Sequence, residues 1–101
     1  MGKIKNNRKG IYIMKSIVMY SSMHWKGCAP VKEVLSQAGI PYVVQDISTG
    51  MLPLKQFLKY RDTRPEFDEI KAAGRVGLPC LVINKGEQIL FELPENLDEL
   101  R

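Results

Sequence analysis

Residues 16–46 read SIVMYSSMHWKGCAPVKEVLSQAGIPYVVQD, and the spacing of their apolar positions changes twice. Ser16-Ile-Val-Met-Tyr20 is a short β-branched apolar run closed by Ser21-Ser22, the pattern of a strand buried on both faces. From Pro30 onward Val31, Val34, Leu35 and Ala38 recur at helical spacing, Lys32, Glu33, Ser36 and Gln37 take the other side, and Gly39 is the stop. After Ile40-Pro41, Tyr42-Val-Val-Gln-Asp46 returns to strand character. A strand, a helix and a strand in so short a span imply a parallel pair joined by a right-handed crossover.

The rest of the chain extends this unit. Beyond the break at Ser48-Thr49-Gly50, Leu52, Leu54, Phe57, Leu58 and Tyr60 predict a second helix. Arg61-Asp-Thr-Arg64 is a polar elbow, and Pro65 opens another helical stretch through Phe67, Ile70 and Ala73 to Gly74. Residues 78–84 predict a third strand, Lys85-Gly86 a hairpin turn, and residues 88–91 a fourth strand antiparallel to the third. Pro94 and Glu95 start a terminal helix carrying Leu97 and Leu100. The order is that of an α/β domain, a parallel pair joined to an antiparallel hairpin in one four-stranded mixed sheet with helices on its faces. A small thioredoxin-like fold fits it.

At 101 residues and 45% hydrophobic composition the chain makes one domain, long enough to bury a core without disulfides or metal. Its formal charge of +4 invites a nucleic-acid reading until the charges are placed. Residues 1–13 hold Lys3, Lys5, Arg8 and Lys9 and no acid, whereas residues 14–101 balance 11 basic against 11 acidic side chains. The basicity belongs to a flexible leader, which gives no support to a nucleic-acid partner. Arg8-Lys9-Gly10 can be written wholly in purine codons shortly before Met14, so a natural start at Met14 is the expectation. The leader has no signal-peptide core, and apolar runs such as residues 17–20 and 78–83 fall far short of the ~20 residues a membrane span needs. The expectation is a cytoplasmic protein without a membrane partner, its Cys28 and Cys80 kept as thiols unless they react.

Several pieces in fixed order carry a family resemblance. Met19-Tyr-Ser, Lys32-Glu-Val-Leu, Ala38-Gly-Ile-Pro-Tyr42, Asp46, and Val76-Gly-Leu-Pro79 before an apolar strand resemble glutaredoxin. Phe57-Leu-Lys-Tyr-Arg-Asp-Thr-Arg-Pro-Glu-Phe67 with Gly77-Leu-Pro-Cys80 is similar to the bacterial branch called glutaredoxin-related proteins. The resemblance covers residues 15 to about 92 and implies a thioredoxin-like (glutaredoxin) fold over residues 14–101. It also implies thiol–disulfide exchange with a small thiol or a protein disulfide.

The family's Cys-x-x-Cys stands where the first strand meets the first helix, because a helix N-terminus stabilises the attacking thiolate. Counted from Tyr20 without a gap, that position reads Trp25-Lys26-Gly27-Cys28, with Trp25 in place of the first cysteine and Cys28 in the second, resolving position. Local chemistry gives a competing reading. An interior proline costs ~3 kcal/mol, so Pro30 belongs at the first helical position, which leaves Cys28 just before the helix as a single nucleophile with Lys26 near and Trp25 as an apolar lip. A buried apolar role for Cys28 competes with both. The resemblance makes Pro79 a cis-proline facing the site and gives Leu78 the backbone groups that receive a thiol substrate. Cys80 is a core strand residue and a candidate redox partner of Cys28. His24 is a candidate activating base, and one His with two Cys cannot complete a zinc site, so no metal is expected.

Glutathione is the substrate or cofactor the resemblance implies, with Lys15, Lys26, Arg61, Arg64 and Arg75 placed to meet its carboxylates. Against it, Phe91-Glu-Leu-Pro-Glu95 stands where the family has Gly-Gly-x-Asp, and Glu92 and Glu95 would repel those carboxylates. Residues 61–64 read equally as a solvated helix joint with local ion pairs. The other function the residues allow is a catalytically silent module that binds a peptide or small thiol through Trp25 and the proline strand.

Overall fold

The computed structural model describes residues 15–101; the basic leader and the expected start at Met14 lie outside the described residues. Strand β1 (Ile17–Ser21) is apolar on both sides and takes an interior place in a four-stranded sheet of order β2-β1-β3-β4. It pairs in parallel with β2 (Val43–Asp46), Tyr20 beside Gln45, and antiparallel with β3 (Cys80–Ile83), Tyr20 beside Cys80. The hairpin partner β4 (Gln88–Leu90) closes the far edge, with Val82 opposite Ile89. Side chains alternate across the sheet, so Leu81 and Ile83 join Ile17, Leu35, Ile40 and Leu100 in one core. Cys80 and Val82 join Tyr20, Phe57, Phe67 and Ile89 in the other.

Helix α1 (Cys28–Gln37) packs Leu35 into the first core. It begins two residues before Pro30, where the sequence led us to expect its start, and Cys28 is its first residue. Proline at the third helical position is tolerated because that residue's N–H lacks an intrahelical partner in any case, and the carbonyl its ring would strike lies outside the helix. Over the second core lie α2 (Met51–Thr63), a 3-10 turn at Pro65–Phe67, and α3 (Asp68–Ala72). Phe57 and Phe67 meet edge to face with centroids 5.9 Å apart, and Phe67 meets Phe91 the same way at 4.8 Å.

Two expected elements differ. The terminal helix is a single 3-10 turn, Leu97–Leu100, capped by Asn96 Oδ1 accepting from Asp98 N at 3.0 Å. Asn96 keeps an extended backbone (φ −100°, ψ 105°) and so interrupts a helix from Pro94, while burial of Leu100 with the Arg101 Nη2 bond to the Ala38 carbonyl (2.7 Å) holds the turn down. The hairpin link is wider than two residues, a 3-10 turn at Asn84–Gly86 with Asn84, Lys85 and Gly86 all at positive φ. Asn84 accepts that conformation because asparagine tolerates the left-handed region. Its Oδ1 also takes the Ser16 N–H at 2.9 Å. Among the described residues no helix is long and apolar enough to cross a membrane.

Helix α2 is amphipathic in an unusual sense, because Phe57 is fully buried while Met51, Leu52 and Leu58 are exposed. Phe57→Ala should cost about 3–5 kcal/mol, whereas Leu52→Ala, for all its apolar character, should stay within about 0.5 kcal/mol. Urea unfolding of the two variants checks this ordering.

Candidate functional site

β1 and β2 end, and β3 begins, at the same end of the sheet, which gathers residues 22–27, 47–50 and 75–79. Asp46, the last residue of β2, ties the first two segments together. Its Oδ2 accepts the Met23 N–H at 3.1 Å, its Oδ1 the Ser48 N–H at 2.7 Å, and its carbonyl the Thr49 hydroxyl at 2.8 Å. The Ser22 and Ser48 hydroxyls bond each other, and Ser22 Oγ accepts the His24 N–H at 3.1 Å. The Ser48 N–H above all, then the Ser48 hydroxyl, the Met23 N–H and the charge of Lys32, outweigh partial burial and hold the Asp46 carboxyl below its ordinary value. Asp46 is the residue the sequence reading missed as an organiser. The available signal was an Asp at a strand end followed two positions later by Ser, the pattern of an Asx turn.

The segment Ser22–Gly27 leads into α1 by two backbone turns, Trp25 N–H to the Ser22 carbonyl at 3.0 Å and Cys28 N–H to the Trp25 carbonyl at 3.2 Å. Trp25 stays 42% exposed. Its indole and the Pro79 ring both lie within 3.8 Å of where a side chain at Gly27 would begin, so the exposed Trp25 and Gly27 are backed by Pro79, which is itself buried. Lys26 is exposed beside it, and Leu78, joined to Pro79 by a cis peptide bond, is half-buried. Four of the expected site residues, Trp25, Lys26, Leu78 and Pro79, thus share this end of the fold.

The cysteines face inward. Cys28 is 1% exposed and Cys80 0%. The competing reading, with Pro30 at the first helical position and Cys28 on the loop ahead of the helix, is corrected: Cys28 opens α1 and is buried. Of the four N–H groups a helix start can offer an anion, that of Cys28 is taken by the Trp25 carbonyl and Pro30 has none. Cys80 sits in the core on the α2–α3 side, whereas the Leu35 face of α1 packs on the other. Burial first, and then the charge of Glu66, push the Cys80 thiol up to about 12. A thiol that stays protonated at neutral pH inside a core is a poor redox partner, and the strand role of Cys80 is the one its surroundings serve. His24 is exposed and makes no hydrogen bond to Cys28 among the described residues. Among those residues no cluster of three His, Cys, Asp or Glu could hold a metal.

Most of the expected cationic bracket is committed elsewhere. Arg61 donates through Nε to the Val76 carbonyl at 2.9 Å and through Nη2 to the Arg75 carbonyl at 2.7 Å, fixing the approach to Pro79. Arg64 pairs with Glu66 at 2.9 Å and bonds the Gly86 carbonyl at 2.8 Å, as the helix-joint reading has it. Lys15 precedes β1 and lies at the opposite end of the sheet. Gly77, at φ +100°, is held against Phe67, whose ring would stand 3.0 Å from any Cβ there. Glu92 and Glu95 are exposed beyond β4.

Asp46→Ala removes two side-chain acceptors from backbone N–H groups and should cost about 1–3 kcal/mol at pH 7. Because the folded carboxyl is held below its ordinary 3.8, this stabilisation is present above that value and is lost as pH falls through the lower folded one. The stability gap between wild type and Asp46→Ala in urea unfolding should therefore narrow only on acidification below that value.

No family model matches the chain, and no solved structure matches it. An uncharacterized protein of Haemophilus influenzae is 39% identical over 62 residues, a match spanning 61% of this chain and 72% of that protein. By that match the chain belongs to the same family as the Haemophilus influenzae protein.

Proposed function

We propose that this chain is a thioredoxin-fold domain of the glutaredoxin kind that binds an extended peptide segment of a partner protein and is silent in thiol–disulfide exchange. The observation that carries the reading is the exposure of Trp25 at the mouth of α1 while Cys28 and Cys80 are both buried; on the glutaredoxin resemblance Trp25 stands where the attacking cysteine would be. The fold assignment is supported by the strand order β2-β1-β3-β4, the parallel β1–β2 pair, and Pro79 at the start of β3 against Gly27.

The choice of a peptide follows from what surrounds Trp25. Met23, Trp25 and Val76 are exposed apolar side chains on the segments that meet at this end of the sheet, and the exposed Met51 and Leu52 open α2 directly after residues 47–50. Such a cluster suits apolar side chains of a partner better than the charged ends of glutathione. Arg61 and Arg64 are occupied, Glu92 and Glu95 add negative charge, and the terminal 3-10 turn offers no α-helix N-terminus for a carboxylate. Glutathione is accordingly not part of the proposal.

A second reading rests on the place of Cys28 as the first residue of α1. There its thiolate would attack a disulfide sulfur, forming a mixed disulfide and releasing the other sulfur as a thiolate. One pair of assays separates the two. Reduction of insulin by dithiothreitol should proceed at the uncatalysed rate with wild type and with Cys28→Ser. Anisotropy of a labelled, carboxymethylated insulin B chain should rise saturably with wild type and weaken by about tenfold or more with Trp25→Ala. Catalysis by wild type that Cys28→Ser abolishes would establish the exchange reading, and a B chain that binds neither protein would remove the peptide reading.

A further inference from the structure

Helix α2 carries a polar stripe along the side that borders the sheet. Gln56, Lys59, Tyr60 and Thr63 follow one another at spacings of three and four, the repeat of a single helix face. Together they line a cavity of about 470 Å³ against Val18 and Tyr20 of β1. Gln45 of β2, the register partner of Tyr20, completes the floor, and Arg64 stands at the rim. A helix packed on a sheet ordinarily turns its apolar stripe inward, yet α2 leaves Met51, Leu52 and Leu58 exposed. Phe57 and the half-buried Tyr60 supply the packing of α2 on the sheet, while Gln56, Lys59 and Thr63 stay exposed at the mouth of the cavity.

The chemistry of the lining is one-sided. It holds two cationic side chains, two carboxamides and three hydroxyls, and no carboxylate. Arg64 is already paired with Glu66, while Lys59 pairs with no carboxylate among the described residues. The Tyr20 and Tyr60 rings, with centroids 6.1 Å apart, and Val18 supply apolar walls. Neither tyrosine hydroxyl has a hydrogen-bond partner among the described residues, and burial above all, with the nearness of Tyr60, keeps the Tyr20 hydroxyl protonated and able to donate. Residues 1–13 carry four cations and no acid, so the leader brings no carboxylate side chain to this cavity. Its volume lies within the range of small-molecule sites.

We infer that the cavity between α2 and the β1–β2 side of the sheet is a binding site for a small aryl anion, its carboxylate or phosphate on Lys59 and the tyrosine hydroxyls and its ring against Val18 and the tyrosines. This site is separate from the Trp25–Pro79 surface and does not depend on how that surface is read.

Nitrogen–proton correlation spectra of the full chain, titrated with phenyl phosphate, benzoate, inorganic phosphate and phenol, test the inference. Phenyl phosphate or benzoate should move the amides of Val18, Gln45, Lys59 and Tyr60 saturably, and the tighter of the two identifies the head group. Phosphate and phenol, each holding half of the recognition elements, should bind at least about tenfold more weakly. Lys59→Gln and Tyr60→Phe should each weaken the aryl anion by about tenfold with otherwise unchanged spectra. Shifts that fail to saturate by about 10 mM, shifts confined to residues 22–28, or full affinity in Lys59→Gln would overturn it.

Discussion

Everything at the candidate site hangs on the burial of β3 from both sides. Its four residues are all buried, and alternation sends Cys80 and Val82 to one core and Leu81 and Ile83 to the other. A strand clamped in this way has one register, since a slip of one residue would exchange its two faces. The clamp fixes where Pro79 emerges, and two further contacts fix the approach to it: Arg61 on the carbonyls of Arg75 and Val76, and Gly77 against the Phe67 ring. The surface of Trp25 and Gly27, backed by the buried Pro79, is thus built on the core rather than on a free loop. The same clamp places Cys80 where its thiol is desolvated.

Across that surface, the β1–α1 segment is held by hydrogen bonds rather than by packing. Asp46 and the Ser22–Ser48 pair tie residues 22–24 to the end of β2, while Met23 and Trp25 remain exposed. Rigid backbone with apolar side chains turned outward suits recognition, because little conformational freedom is lost when a partner arrives. Nucleophilic chemistry asks for the reverse arrangement, an accessible sulfur with free N–H groups around it. Here the sulfur of Cys28 is inside, and part of the N–H complement at the start of α1 is spent or missing.

Much of the architecture was legible in the residues. The strands and the first three helical stretches follow from period and punctuation: Ile17 to Tyr20 and Cys80 to Ile83 turn apolar residues into the cores and α1 buries Leu35, although Val34 of the expected stripe and Val43 and Val44 of β2 are exposed. The misplacements have local causes. Pro30 was weighed as a breaker, although the third position of a helix needs no N–H from it. Leu97 and Leu100 have helical spacing, but the extended Asn96 caps a single 3-10 turn instead. The apolar residues of α2 mark a helix correctly yet do not all face the core, and the cavity beside its polar stripe is illegible because Val18, Tyr20 and Gln45 reach it only through the tertiary fold. At the site, the order Trp25, Lys26, Gly27, Cys28 was legible, but the direction in which Cys28 points depends on the turn that Ser22 and Asp46 impose. The commitments of Arg61 and Arg64 are tertiary, to carbonyls 14 to 22 residues away.

Both thiols are buried while Trp25, at the mouth of α1, is exposed. Native-state alkylation tests this burial, with the full chain treated with iodoacetamide at pH 8 and the adducts counted by mass as urea is raised. Neither Cys28 nor Cys80 should be modified until the chain unfolds, so that labelling follows the unfolding transition. Rapid modification of Cys28 in the folded protein, with Cys80 protected, would contradict it.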